Sequence, residues 1–536
     1  MSDQPPDETQ ANAGEPDGGW TWDLTERSGA TALATNRSFR STALLTVAGT
    51  VLPGLGLILA RRRVVGSIIL GVFAVAAISL GIWALTDTQG FLGQFVRPAV
   101  LMRLTVALVV VAVVWVGVVV ASHLSLRGRP SRRHRVLGGL LVGVLAFAVA
   151  APMAVAARYS YDTATSVAGT FKSEADSKSA TRPTLNAGKP TKGQTAPQDP
   201  WADKPRLNVL LLGGDAGKGR TGTRTDTVIL ASVDTHTGDT TLFSLPRNTA
   251  RMPFPKKSPL HRYYPNGFTN GNGEDQEFAL NALYQNVPAS VPKNVLGPTD
   301  DLGADVLKIS VGEALGLEVD YYALIDLKGF STLVDALGGI RLNVNSYIPI
   351  GGNTDLHIPP SEFLHPGANQ KLDGRSALWY ARGRYGADDF ARMDRQRCVI
   401  NAMIKQASPA TLLSRYEDIA KAGKEIVQTD VPQEVLPLMV DLGLRVKDGN
   451  VRSIVFKNGV DGFFSSNPDF PEMRQRVKVA LGEAAKPPST KKSKKSSGSS
   501  SGSSSGTSSK TAESEDVDDT CAFNPEMAAT ATPYRG

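Results

Sequence analysis

Four apolar runs crowd the first third of the chain, near residues 41–60, 64–85, 99–121 and 136–158. Roughly 20 apolar residues cross a bilayer as a helix, so the last three runs are long enough to span. The first is interrupted by Pro53, Gly54 and Gly56, which break helices. It reads as a re-entrant or hairpin segment, 41–60, leaving full spans at 64–85, 99–121 and 136–158; the alternative, four full spans, would put the N-terminus outside. Residues 1–40 are polar and rich in Gly, Pro, Asp and Glu. They lack the basic start and small-residue cleavage site of a signal peptide and read as a disordered cytoplasmic tail.

Beyond residue 158 the pattern changes. Residues 159–204 hold Ala, Thr, Ser, Lys and Pro with little apolar periodicity, as a stalk or linker does. Residues 205–483 alternate apolar runs with turn signals and form one folded domain. The tail, 484–536, is Ser/Gly/Lys-rich and regains some apolar character only around Cys521. Within the domain, RLNVLLLGG, TDTVILASVD and TTLFSLP read as three strands, with Gly238-Asp239 turn chemistry between the last two. Further strands are expected near 319–326, 339–345 and 451–457, and helices at 274–286, 300–316, 328–336, 375–381 and 389–407. Strands mixed with helices predict a layered α/β domain behind a helical transmembrane region.

Charge orients the chain. The loop between the last two spans, SHLSLRGRPSRRHR, carries Arg127, Arg129, Arg132, Arg133 and Arg135, whereas the loop 86–98 carries only Asp87 and Arg97. The Arg-rich loop belongs in the cytoplasm, so everything after residue 158 lies outside. Arg37 and Arg40 before the first run, and Arg61, Arg62 and Arg63 after it, want the cytoplasmic side, as a re-entrant segment allows. The net charge of +7 is modest, and no concentrated basic patch with a groove-reading motif points to nucleic acid. Six histidines at no zinc-ligand spacing exclude a zinc-site reading. Two cysteines, Cys398 and Cys521, make at most one bridge; they pair in an oxidising space or stand as two unrelated thiols.

The candidate chemistry gathers at strand ends. Gly217-Lys-Gly-Arg-Thr-Gly222 is a literal GxGxxG, but a strand rather than a helix follows it, so it is no dinucleotide fingerprint. Asp215 lies just past the first strand, Arg224 and Asp226 flank the start of the second, and Arg247 ends the third. Later, YARGRYGADDFARMDRQRCVI holds Arg382, Arg384, Asp388, Asp389, Arg392, Asp394, Arg395, Gln396 and Arg397. Arg392 and Arg395, three apart, point the same way on a helix. Arginines grip phosphate oxygens and paired carboxylates hold Mg²⁺, a combination that suits pyrophosphate chemistry. Taken alone, the run reads as well as a solvated face in which Arg392 pairs with Asp388 or Asp389.

Those same residues carry a family resemblance. NVLLLGGDAG…TRTDTVILASVD…SLPRNT, then YYALIDLKGFSTLVDALGGIRLNV, then LDGRSALWYARGRYGADDFARMDRQ, is similar to the LytR-CpsA-Psr family in the family's order, across essentially all of 205–483. The resemblance implies a three-layer α/β/α sandwich outside the cytoplasm, anchored by a multi-pass membrane region, with a groove for a polyprenyl-pyrophosphate-linked glycan. It implies transfer of that glycopolymer to peptidoglycan as a phosphodiester. By the same token Asp215 and Asp226 resemble ligands of Mg²⁺ (or Mn²⁺). Arg224, Arg247, Arg382, Arg384, Arg392 and Arg395 resemble pyrophosphate-binding arginines, with Gln396 beside them and Asp226, Arg224 and Arg384 at the reacting centre. Tyr284, in NALY, falls in a recurrent motif without an assigned role. Asn248 stands where the family more commonly has aspartate, a departure that bears on an accessory carboxylate and not on the core site.

LIDLKGFSTLVDAL either lines the prenyl groove or is plain core. In an extracytoplasmic domain a Cys398–Cys521 bridge is the favoured expectation, stapling the far tail beside the site. Two rival activities use the same residues: a polyprenyl-pyrophosphate pyrophosphatase with water as acceptor, and a non-catalytic lipid-binding membrane regulator. The glycan itself is left open.

Overall fold

The computed structural model describes residues 38–127, 131–183, 201, 204–215, 223–273, 275–353, 356–407, 427–484 and 514–534. The expected N-terminal tail up to residue 37, the Gly-rich loop 216–222 and the low-complexity run lie outside the described residues. The chain divides into two compact units, one of Met1–Val75 and Val113–Ala150, the other of Ala76–Ala112 and Ala151–Gly536.

In the first unit, α1 (Phe39–Val51) starts on Ser38, whose hydroxyl accepts the Ser41 N–H. It stops before Pro53-Gly54, where Gly54 has φ +97°, and α2 (Leu55–Leu59) follows. Neither reaches the roughly 20 residues a span needs. The turn is tight: a Cβ on Gly49 would meet Gly56 Cα at 2.9 Å. Trp115 Nε1 donates to Thr50 O at 3.0 Å, and Thr46 Oγ1 lies 3.1 Å from His123 Nδ1. Among the described residues, three helices are long and apolar enough to cross a membrane: α3 (Arg63–Thr86), α5 (Pro98–Leu126) and α6 (Arg132–Thr170). The short α4 (Thr88–Gly93) lies between the first two.

The second unit is built on a seven-stranded mixed sheet. Its strands are β1 (Arg206–Gly214), β2 (Thr225–Asp234), β3 (Thr240–Leu245), β4 (Tyr321–Asp326), β9 (Val427–Thr429), β10 (Val451–Val455) and β11 (Glu515–Asp516), in the order β11-β10-β3-β2-β1-β4-β9. β1, β2 and β3 form an antiparallel meander, while β4 runs parallel to β1, and β10 parallel to β3. Because side chains alternate along a strand, the sheet has two apolar faces. Leu210, Leu212, Leu230 and Phe243 pack against α7 (Leu283–Ser290), α8 (Leu302–Leu315) and the helix Phe470–Ala480. On the other face, Ile229, Ala231 and Leu242 meet Ile400 and Ile404 of α11 (Asp389–Gln406). Nearby, Leu207, Val233 and Tyr321 meet Leu442 of the helix Leu436–Asp448. Helices on both faces make a three-layer α/β/α sandwich.

A second cluster joins α9 (Leu327–Ala336), α10 (Gly374–Arg382) and α11 to the two-stranded sheet of β5 (Ile340–Val344) and β8 (Gly367–Leu372). A hairpin of β6 (Ile348–Asn353) and β7 (Ile358–Leu364) stands beside it.

Two expectations need correction. Residues 159–204 are not one loose stalk: α6 runs on to Thr170, and residues 171–183 are fixed to the domain. Asp305, only 1% exposed, accepts from Ser179 Oγ at 2.8 Å, Ala180 N at 2.9 Å and Thr181 Oγ1 at 2.6 Å. Polar residues of the expected linker satisfy a buried carboxylate instead. The helix expected at 274–286 is two 3₁₀ turns, Gln276–Phe278 and Leu280–Ala282, leading into α7, because Ala279 is extended between them.

Candidate active site

One face of α11 sets the character of the site. Residues spaced three and four apart share a helical face, so Asp389, Arg392 and Gln396 at its start continue into Val399, Ile400, Met403 and Ile404. From Arg392 on, these residues line a groove of about 410 Å³. The opposite wall is Leu211 and Leu212 of β1, Ala323 and Ile325 of β4, Leu327, Phe330 and Leu333 of α9, and Leu378 and Ala381 of α10. The stretch LIDLKGFSTLVDAL thus supplies groove wall as well as core. The mouth is polar, rimmed by Asp215, Asp226, Arg382, Arg392 and Gln396.

The strand ends deliver the carboxylates. β1 ends at Gly213-Gly214, where the pairing with β2 shifts register, and Asp215 follows directly. Asp215 N donates to Arg224 O at 3.1 Å, and Arg224 N lies 3.3 Å from Asp215 Oδ1, so the two strand ends are locked together. Asp226 is the second residue of β2. Arg247, just past β3, donates through Nη1 to Asp226 Oδ1 at 2.8 Å. At the start of α11, Asp388 accepts the Ala391 N–H as the N-cap, which leaves Asp389 in the first turn. Oδ1 of Asp389 lies 3.0 Å from Arg392 Nη2, 3.6 Å from Arg384 Nη1 and 3.7 Å from Arg247 Nε. Arg392 Nη2 also donates to Asp226 O at 3.2 Å.

This packing sets the charges. Burial works against the Asp226 carboxylate, but Arg247, then Arg392 and Arg384, outweigh it and hold the carboxyl below its ordinary range. Burial likewise works against Arg247, and Asp226, Asp389 and Asp215 overcome it, raising its pKa. Arg392, with a side chain 4% exposed, is pushed down to about 10, chiefly by burial and despite Asp389. Its Nε is buried with no hydrogen-bond partner among the described residues, a donor left over at the groove.

The expected residues do not all converge. Asp215, Asp226, Arg382, Arg392 and Gln396 meet at the mouth, and Arg247 and Arg384 join through Asp226 and Asp389. Arg382 lies over the Trp379 ring at 5.3 Å, and Gln396 Nε2 donates to Thr227 Oγ1 at 2.9 Å. Arg224 pairs with Glu277. Arg395 turns away from Arg392: its Nε donates to Tyr380 O at 2.7 Å and its Nη2 to Gly383 O, capping the C-terminal end of α10. Tyr284 donates to Asp301 Oδ2 at 2.7 Å in the α7–α8 layer. The sequence reading passed over Asp389 as a site residue, although its place in the first turn after a capping Asp was visible. Cys398 of α11 and Cys521 are joined by a disulfide, with Cα atoms 5.6 Å apart. Among the described residues, no three His, Cys, Asp or Glu side chains group closely enough to hold a metal ion. Asp215 and Asp226, hard oxygen donors on neighbouring strand ends, fit a cation that draws its other ligands from elsewhere.

A model of the LytR_cpsA_psr family matches residues 161–461. The polyisoprenyl-teichoic acid–peptidoglycan teichoic acid transferase TagU of Oceanobacillus iheyensis is 26% identical over 243 residues, 45% of this chain and 63% of that protein. Biofilm regulatory protein A of Streptococcus mutans is 28% identical over 246 residues, 45% of this chain and 53% of that protein. The chain therefore spans between half and two thirds of the length of these relatives. The crystal structure of B. subtilis TagV is 23% identical, covers 53% of this chain and 99% of its own, and has a TM-score of 0.36.

Proposed function

The chain belongs to the LytR-CpsA-Psr family, and from that membership we propose that it transfers a glycopolymer from a polyprenyl-pyrophosphate carrier to peptidoglycan. The observation that carries this reading is an apolar groove that ends in guanidinium groups and two strand-end carboxylates. A prenyl chain fits the apolar part and a pyrophosphate the mouth. The relatives named as polyisoprenyl-teichoic acid transferases support the same substrate class.

In the proposed reaction, an acceptor hydroxyl oxygen attacks the glycan-bearing phosphorus. A new P–O bond forms, the bridging P–O bond breaks with its electron pair going to the departing prenyl phosphate, and the hydroxyl's proton passes to that leaving phosphate. Arg392, desolvated and with its Nε unpaired, and Arg382 at the rim bind the phosphate oxygens. Arg247 and Arg384 stabilise charge as the phosphoryl group transfers. Asp226, held anionic at neutral pH, is suited to a cation and poor as a general base. With Asp215 it would hold Mg²⁺ or Mn²⁺, which supplies further neutralisation of the pyrophosphate when bound. Arg395 fixes the end of α10, from which Arg382 projects and where the loop carrying Arg384 begins. By the positive-inside rule, the chain is a multi-pass membrane protein with this domain outside the cytoplasm.

The test uses the full chain in detergent with a short-chain prenyl-pyrophosphate-linked sugar and Mg²⁺. Prenyl phosphate release is followed with and without peptidoglycan for wild type, Arg384→Ala and Asp226→Ala. The reading expects release coupled to acceptor glycosylation, lost in both variants. Release by water alone would instead indicate a pyrophosphatase, and binding without turnover a regulator.

A further inference from the structure

The C-terminal segment of the described chain ends against the loop that carries Arg384, and we propose that Tyr534 is a positioning residue for Arg384. The proposal rests on the reading of the groove mouth as a pyrophosphate site.

The loop, residues 383–388, links α10 to α11. Its ends are pinned. Gly383 N donates to Trp379 O at 2.7 Å, Arg395 donates to Gly383 O, and Asp388 caps α11. Between them Ala387 N donates to Arg384 O at 2.8 Å, closing a turn in which Gly386 has φ +72°. Aromatic rings clamp the middle of that turn. Tyr385 lies against Gly352 of β6, where an added Cβ would meet Tyr385 Cδ2 at 3.2 Å. From the tail, Tyr534 sets its ring 5.7 Å from the Tyr385 ring, inclined at 55°. The same ring covers Gly386, where an added Cβ would meet Tyr534 Cδ1 at 2.1 Å.

The tail comes to this point by an anchored route. β11 pairs with the edge strand β10, and Val517 beside it is fully buried. Cys521 is bonded to α11 through Cys398. Asn343 and Asn345 donate to Cys521 O and Ala522 O, each at 2.9 Å, and Asn345 Oδ1 accepts from Asn524 N at 2.9 Å. These contacts secure residues 515–524 and would do so wherever the rest of the tail went. The described tail nevertheless continues across to Tyr385, in the loop that bears Arg384, whose side chain is 43% exposed.

The physical need is plain. Arg384 follows Gly383 and stands two residues before Gly386, in a loop whose glycines have more backbone freedom to lose than other residues. Its Nη1 is 3.6 Å from Asp389 Oδ1, too long for a hydrogen bond to hold it alone. A displacement of about 1 Å at a charge-stabilising group can cost ~100-fold in rate. The Tyr534–Tyr385 clamp narrows the directions in which Arg384 points.

The experiment compares wild type, Tyr534→Ala, Tyr534→Phe, Arg384→Ala and the Tyr534→Ala/Arg384→Ala double variant, all as full chain with the disulfide intact. Two quantities are read: affinity for a short-chain prenyl pyrophosphate, and kcat for prenyl phosphate release. Tyr534→Ala is expected to lower kcat and affinity about tenfold, in line with modest misplacement, while leaving the KM for acceptor unchanged. Tyr534→Phe should keep wild-type values, because the ring and not the hydroxyl makes the contact. In the Arg384→Ala background, where turnover is already lost, Tyr534→Ala should cause no further loss of affinity for the prenyl pyrophosphate, which a merely structural role would not produce. Wild-type behaviour of Tyr534→Ala, or the same loss on top of Arg384→Ala, overturns the proposal. If wild type binds the probe but turns nothing over, the transferase reading fails and the affinity arm still decides the role of Tyr534. If wild type does not bind the probe, both fall.

Discussion

At the scale of single residues, the site is governed by which guanidinium faces which carboxylate. Asp226 shows this most directly, since burial alone would raise its pKa and Arg247 reverses the sign. A carboxyl depressed in the folded state contributes stability that is present above its unfolded pKa, about 3.9, and lost as pH falls through the folded value. Arg247→Ala should therefore be less stable than wild type at neutral pH, and the gap should close below about pH 4. Urea midpoints of both proteins across that range would check this; a gap independent of pH would remove Asp226 from the account. The charged run was legible in sequence, but its geometry was not. Helical spacing points Arg392 and Arg395, three apart, the same way, yet Arg395 is drawn to the carbonyls of α10 and only Arg392 reaches the groove. That divergence depends on where α10 ends in space, which spacing along α11 cannot express.

At the scale of elements, α8 to α11 lie within two residues of the ranges expected from apolar periodicity. β1 to β3 were equally readable as short apolar runs. The strands that escaped notice had nothing local to announce them. β7 is mostly exposed along its length, so it shows no alternation of buried and exposed positions. β9 and β11, of three and two residues, exist only through pairing with distant partners at the sheet edges. The helix Leu436–Asp448 is different, because Leu436, Met439, Leu442 and Val446 carry a period that was there to be read. Residues 171–183 looked like a spacer because the carboxylate that fixes them, Asp305, is far along the chain. The disulfide ties α11 to the tail across a sequence separation of 123 residues. Replacing both cysteines by serine should lower stability by roughly 3–5 kcal/mol on the chain-entropy estimate. Chemical denaturation with and without reductant would measure it, and identical curves would show that the bridge constrains nothing.

At the scale of the whole molecule, one sheet serves two purposes. One face carries the larger apolar cluster with α7 and α8, while the other, under α9 to α11, leaves an open groove instead of closing it with side chains. Filling that space tests whether a hydrocarbon chain uses it. Ala323→Trp, in the β4 wall, should weaken binding of a long-chain prenyl pyrophosphate at least about tenfold while affecting a short-chain one less. Competition between the two lipids would report the difference. Equal loss for both would place the tail elsewhere.

On the proposed chemistry, Asp389 also bears on product release. One of its oxygens lies near Arg247, Arg384 and Arg392 together, so each of these guanidiniums has a resident counter-ion to return to. The two phosphoryl groups of a loaded carrier can engage several guanidiniums at once and so compete well against that carboxylate, whereas the single phosphate of the spent carrier engages fewer and competes less well. On the proposed chemistry, the spent carrier is discharged by ion pairs that re-form behind it, and the vacant mouth is reset before the next loaded lipid arrives.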